Sequence, residues 1–263
     1  MSTEHSESTR TGTRSGGHVT DTKTVLRDTV LPALAAEVKY FSIQAVRECL
    51  RTQGQSVQPD TLKRYLYGLR KEGILFDAGK GWYSTLSEAF MLPKEPVSEL
   101  VALLEKQFPL LEFSAWSTGQ VKAFTHDTLA QFVGFVYVER HNIASVAERI
   151  LDAGYFVYAN PRGNERQVFT VRQKTIVIRP RVTTQPCDGH FVIVEGLLVD
   201  LFVEASRLPI MGLTECLTVF ENIAGHSRIS IARLMSYAQQ RQPAAADILK
   251  AVQSTFSGVL KYP

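Results

Sequence analysis

The 263-residue sequence has only three cysteines, Cys49, Cys187 and Cys216, and no Cys-x-x-Cys pair. An odd number cannot pair completely and the three lie far apart, so reduced thiols in a cytoplasmic protein are expected. Long hydrophobic runs are also missing. The most apolar stretch, residues 191–205 (FVIVEGLLVDLFVEA), is broken by Glu195, Asp200 and Glu204 and is too short to cross a bilayer, so no membrane partner is expected. The N-terminal residues hold no apolar segment of the secretory kind. Nor does one sign of charge dominate. Lys and Arg number 29 against 26 Asp and Glu, and a net +3 identifies no nucleic-acid binder by itself.

Catalytic signatures are equally scarce. The six histidines (His5, His18, His126, His141, His190, His226) form no His-Glu-x-x-His and no His-x-His, and His126 beside Asp127 is only adjacency. No Gly-x-Ser-x-Gly and no phosphate loop occur, and Gly119, Gly134 and Gly163 stand alone. Cys187 lies in a Pro-Cys-Asp-Gly turn with no base supplied by the sequence. Five acids, Glu112, Glu139, Glu195, Asp200 and Glu204, fall on or near expected strands. A metal-dependent nuclease would need two or three of them to converge on a hard cation, usually with a lysine nearby. Glu139 is followed by Arg140 rather than by an acid-x-Lys spacing. Glu195 and Asp200 would sit about 140° apart on a helix. Strand-end and helix-surface carboxylates are the simpler reading, so no catalytic residue, cofactor or metal is expected.

What the sequence does contain is local organisation. Residues 1–23 are Ser-, Thr- and Gly-rich without apolar periodicity and read as a disordered tail. In 24–88, Leu26, Val30, Leu31, Leu34 and Val38 recur at helical spacing; Ser42 can cap a second helix with Ile43, Val46 and Leu50 inside, closed by Gly54. Pro59 suits the first turn of a third helix that stops at Gly73. ILFDAGKGWYST then reads as a β-hairpin with a glycine-rich turn. Three helices and a hairpin are the layout of a winged helix-turn-helix. From Lys39 to Tyr83 there are eight Lys/Arg against four acids. On the third helix Leu62, Tyr65, Leu66 and Leu69 share one side; Lys63, Arg64, Tyr67 and Lys71 share the other, with Arg70 at its edge. One face would pack and the other would offer donors to a groove of double-stranded DNA, with Lys80 at the hairpin tip on the adjacent backbone.

Residues 89–96 read as a linker, and 97–263 as a mixed α/β domain with a helical end, making the whole α+β. Strands are expected at LEFSAWS, VGFVYVE, YFVYA, QVFTV, TIVIRP and HFVIVEG, and helices at VSELVALLEKQF, HDTLAQF, ASVAERILDAG, LTECLTVFENIAG, SRISIARLMSYAQQRQ and ADILKAVQSTFSG. A second basic excess, Arg162, Arg166, Arg172, Lys174, Arg179 and Arg181, fits either a contact surface or an edge strand guarded by charge.

TLKRYLYGLRKEGIL leading into GKGWYST, VGFVYVERH followed by ASVAERILDAG, the segment EGLLVDLFVEA and the helix ISIARLMSYAQQR stand in one order along the chain. In these features the sequence resembles the AbiEi-type antitoxins of type IV toxin–antitoxin, or abortive infection, systems of phage defence. The resemblance implies a non-enzymatic transcriptional repressor of its own operon, whose C-terminal domain counters a co-encoded nucleotidyltransferase-type toxin. Two other readings remain open: a metal-dependent nuclease built on the C-terminal carboxylates, and a ligand- or partner-sensing regulator without a toxin. No heptad seam is present, so a monomer or weak dimer in solution, with two copies per operator, is expected.

Overall fold

In the computed structural model, which describes residues 21–126, 131–241 and 260–261, helices and strands mix in an α+β arrangement. The tail expected over residues 1–20, most of HDTLAQF and the helix expected at ADILKAVQSTFSG lie outside the described residues. A helical run over 22–37 (α1) is the first element among the described residues, starting inside the stretch expected to be tail. It joins Thr22–Val25, a π-helical turn Leu26–Val30 and Leu31–Glu37. The wide turn has a cause in Pro32, which lacks an N–H and crowds the carbonyl four residues back. A bond from Leu31 N–H to the Leu26 carbonyl widens the helix just ahead of it.

β1 (Tyr40–Ser42) leads directly into α2 (Ile43–Thr52), whose first turn is capped by Ser42 Oγ accepting from Ala45 N–H at 3.1 Å. α3 (Pro59–Lys71) begins with Pro59 and Asp60 and ends with Arg70 and Lys71, an arrangement that complements its dipole. Gly54 and Gly73, at φ +71° and +72°, end α2 and α3. β2 (Phe76–Asp77) and β3 (Trp82–Ser84) form an antiparallel hairpin, and β3 also pairs with β1. The other side of β1 takes a parallel two-residue strand, Leu260–Lys261. Leu62, Leu66 and Leu69 of α3 are buried against Leu31, Leu34, Phe41, Val46 and Leu50.

The second sheet contains β4 (Phe113–Ser117), β5 (Val133–Val138), β6 (Phe156–Ala159), β7 (Thr175–Pro180), β8 (Cys187–Asp188) and β9 (Phe191–Val192), in the order β6-β7-β5-β4-β9-β8. β5, β7 and β6 are parallel, and β4 is antiparallel to β5. One face is covered by α4 (Glu95–Gln107) and α5 (Ile143–Asp152), which pack on Val136, Val138, Ile176 and Ile178. The opposite face, with Trp116, Phe135, Tyr137 and Val177, is covered by α7 (Val194–Ala205), α8 (Leu213–His226) and α9 (Ile231–Arg241). A short helix, α6 (Asn164–Gln167), lies between β6 and β7. With helices on both faces, β5 is buried along its whole length and β7 up to Arg179.

Two strand expectations are corrected. HFVIVEG contributes only the two residues of β9; from Val194 the chain is helical, and α7 is buried all round, so apolar run alone could not separate strand from helix. QVFTV is not a strand. Beyond Gln167 this segment covers the sheet edge through side chains: Phe169 packs on Tyr158 at 4.5 Å between ring centroids, and the Tyr158 hydroxyl donates to the Thr170 carbonyl and accepts from its N–H.

The two halves meet along β1 and the turn joining α8 to α9. Alternation on β1 sends Phe41 into the N-terminal core and Tyr40 into the core under α7–α9. Tyr40 Oη donates to the Ser227 carbonyl at 2.7 Å and accepts from Ile229 N–H at 3.1 Å. Arg228 donates to the carbonyls of Asp77, Leu86 and Ser87, and its own N–H and carbonyl bond Glu88 and Phe90. The stretch expected to be a loose linker is thus tied down at its start. Gly79, at φ +100°, lies so close that a Cβ there would stand 2.5 Å from the Ala232 Cβ. Tyr40→Phe leaves the Ser227 carbonyl and Ile229 N–H unmet, and a loss of roughly 1–3 kcal/mol is expected in denaturant unfolding of the full chain.

Candidate functional site

The α3 surface carries an exposed set of charged residues on one side of the helix. Lys63, Arg64, Tyr67, Arg70 and Lys71 are all exposed, on the side away from buried Leu62, Leu66 and Leu69, and Tyr65 is half-buried against the core. Tyr67 is 56% exposed, with Lys71 Nζ 4.9 Å from its ring centroid. Lys80 is exposed in the hairpin turn, between Gly79 and Gly81, both at positive φ. Lys63 pairs with Asp60 at 3.1 Å, and Arg70 with Asp77 of the hairpin at 3.4 Å. Both pairs are solvent-exposed and contribute about 0–1 kcal/mol each, so neither immobilises its cation. Arg47 and Arg51, one turn apart on α2, line a concavity of about 310 Å³ with the α2–α3 connection. Sequence reasoning counted these two arginines only as local charge; their i, i+4 spacing was the available signal.

The second basic set divides. Arg162, Arg172 and Lys174 are exposed, Arg166 and Arg181 half-buried. Arg172 lies over the Phe156 ring and Lys174 over Tyr155, both at the edge strand β6, and Arg181 pairs with Glu112. Arg179 does not belong to a surface at all. It is 3% exposed, because its place on β7 points it at α7, where Nε meets Glu204 at 2.9 Å.

The carboxylates also depart from expectation. Glu112 and Glu139 are exposed, but Glu195, Asp200 and Glu204 are buried on α7 rather than on strand ends or a helix surface. Asp200 and Glu204, one turn apart, face a cluster of arginines. Arg241 Nε bonds Asp200 at 2.7 Å, and its Nη2 lies 3.4 Å from Glu204, which also meets Arg207. Tyr237 and Gln185 donate to Asp200 as well. Burial pushes the Asp200 carboxyl above its ordinary range, while Arg241 and the hydrogen bonds oppose that rise. Glu195 points the other way, accepting from Ser230 N–H at 2.7 Å beside Arg233. Among the described residues no group of three or more His, Cys, Asp or Glu could hold a metal ion. Cys187 is exposed as a residue, yet burial of its thiol beside Ser114 pushes it up to about 11, which leaves it protonated at neutral pH.

Residues 61–257 match the family of unknown function DUF6577. The chain belongs to that family. The match begins inside α3 and takes in the hairpin and nearly all of the second half of the molecule. No functionally curated protein matches the chain. Among solved structures, the crystal structure of the RV2827C protein from Mycobacterium tuberculosis is similar at 12% identity with a TM-score of 0.35, covering 89% of this chain and 78% of that one. No helix among the described residues is long and apolar enough to cross a membrane.

The buried cluster generates a stability prediction. Arg241→Leu leaves Asp200 without its cation and is expected to cost about 3–5 kcal/mol at neutral pH. Asp200 has a raised folded-state value, so it is neutral in both states once pH falls below its ordinary carboxyl range. The unfolded chains of variant and parent titrate alike, so the cost should shrink as pH falls toward the parent's raised folded-state value and stay constant below it, read by comparing the unfolding midpoints of the two proteins.

Proposed function

We propose that residues 24–88 form a winged helix-turn-helix that binds operator DNA, making this member of the DUF6577 family a transcriptional regulator without enzymatic activity. One observation carries the reading: α3 buries Leu62, Leu66 and Leu69 and leaves Lys63, Arg64, Tyr67, Arg70 and Lys71 exposed on one side, with Lys80 at the tip of the neighbouring hairpin. A helix anchored by one face can lay the other in a major groove, where Arg64 and Lys63 reach guanine edges or phosphates and Tyr67 donates to a phosphate. Lys80 would hold the adjacent backbone, as a wing does. The resemblance to AbiEi-type antitoxins extends the proposal: the domain over 97–263 would bind and neutralise a co-encoded nucleotidyltransferase-type toxin in the cytoplasm, and the winged helix would repress the shared operon.

The nuclease alternative has less to support it: Asp200 and Glu204 are engaged by arginines, and Glu112 and Glu139 stand at the surface. Operator binding should fall sharply in a Lys63→Ala/Arg64→Ala variant that retains its unfolding midpoint. Lys80→Ala should weaken binding to all sequences alike and lower the salt slope by about one. Unchanged gel shifts for the double variant would remove α3 from the mechanism.

One such module covers only roughly 600–1,000 Å² of interface, too little for tight operator recognition alone. Two copies are therefore expected per operator, on half-sites about one helical turn apart or a multiple of it. Light scattering of the free chain should give a monomer or weak dimer, and scrambling one half-site should abolish tight binding. Full affinity for a lone half-site at one copy per duplex would contradict this arrangement.

A further inference from the structure

A second cavity, of about 350 Å³, opens where the hairpin, the segment over 89–94 and the helices α7 and α9 meet. Its walls are apolar, formed by Phe90, Met91, Leu92, Val192 and Val194. Its charged groups are mostly spoken for. Lys94 pairs with Asp188 at 2.8 Å, Glu195 lies beside Arg233, and Asp77 turns its carboxylate to Arg70 outside the cavity. Arg228 differs: it donates three hydrogen bonds to backbone carbonyls and has no carboxylate within ion-pair distance among the described residues. A guanidinium has five N–H donors, so two remain beyond those three, and the positive charge is unbalanced. α7 begins at the same space, at Val194, with no side-chain cap.

We propose that this cavity binds a small amphipathic anion, an apolar chain or ring bearing one carboxylate. The carboxylate would meet Arg228, and the apolar body would lie along Phe90, Met91 and Leu92. The volume falls in the range of small-molecule sites, which favour junctions between domains. One surplus cation selects a single negative charge over a phosphate ester, which would carry a second charge with no partner. The position matters because Arg228 also fastens the hairpin, through the Asp77 carbonyl, to the turn between α8 and α9. A ligand on Arg228 therefore touches the element that fixes the DNA-facing module. That consequence rests on the DNA-binding reading; occupancy of the site does not.

The test is calorimetric titration of the full chain, without DNA, with decanoate, decanol and decyltrimethylammonium below their micellar concentrations. Decanoate should bind with one-to-one saturation, at least about tenfold tighter than either analogue. Arg228→Gln should weaken it, but that variant also loosens the junction. Met91 is 81% exposed, so Met91→Asp should fold normally, with the parent's unfolding midpoint, place a negative charge at the mouth and weaken decanoate at least about tenfold. Absence of saturable decanoate binding, equal binding of the three probes, or an unchanged affinity in Met91→Asp would each overturn the proposal. Because no DNA is present, none of these results bears on operator recognition.

Discussion

The main chain of residues 227–230 crosses from α8 to α9 between two buried cores, and a buried peptide group must find a partner. Here the partners come from other parts of the chain. Tyr40 takes the Ser227 carbonyl and Ile229 N–H, Glu88 accepts from Arg228 N–H, and Glu195 accepts from Ser230 N–H. Each is distant in sequence, so satisfying this short turn forces β1, the hairpin exit and the start of α7 into one place. The N-terminal half is held to the second half by this requirement together with the apolar packing of Tyr40, Ala78 and Trp82. Arg228 adds three bonds to the exit of the hairpin, and Gly79 is the residue whose missing side chain lets the hairpin approach Ala232.

α7 has to be placed before that turn can be satisfied, and its placement depends on charge. The helix is buried on every side, so burial of apolar surface would allow it to rotate or slide among similar packings. Asp200 and Glu204 remove that freedom, since each needs cations in a water-poor interior. Arg179 from β7 reaches Glu204, and Arg241 from the end of α9 reaches both acids, so the pairs tie the rotation of α7 and its height to the sheet and to α9. Such a buried network adds little net stability over an apolar core, but an unpaired member is costly, which is how it selects one arrangement.

The N-terminal module was readable because punctuation and periodicity agreed. Ser42, Gly54, Pro59 and Gly73 mark the ends of α2 and α3, and the leucines of α3 fall on one face. β4, β5, β6 and β7 carried strong strand formers. α7 was not readable: with no polar face, a buried helix looks like a buried strand, and its three acids look like breaks in a surface element. Apart from Arg207, three residues from Glu204, their arginine partners Arg179, Arg233 and Arg241 lie 25 or more residues away, and pairing at that distance leaves no periodic trace. The same holds for Arg179 itself, which stands in a basic stretch yet is the one member turned inward. The cavity beside Arg228 was invisible for a related reason, being assembled from five separate segments of the chain.

Burial sorts the basic residues into two kinds with different capacities. Arg179 and Arg241 are enclosed with carboxylates on fixed geometry, and releasing either would strand a buried charge. On α3 the charged groups are free to exchange partners. Lys63 and Arg70 are held only by exposed acids, and an incoming phosphate replaces such a pair at almost no cost. Asp60 and Asp77 then act on the bound state as much as on the free one. A net charge near zero over the whole chain is compatible with a DNA-facing surface for this reason: what matters is which cations a phosphate can reach and how weakly they are already engaged.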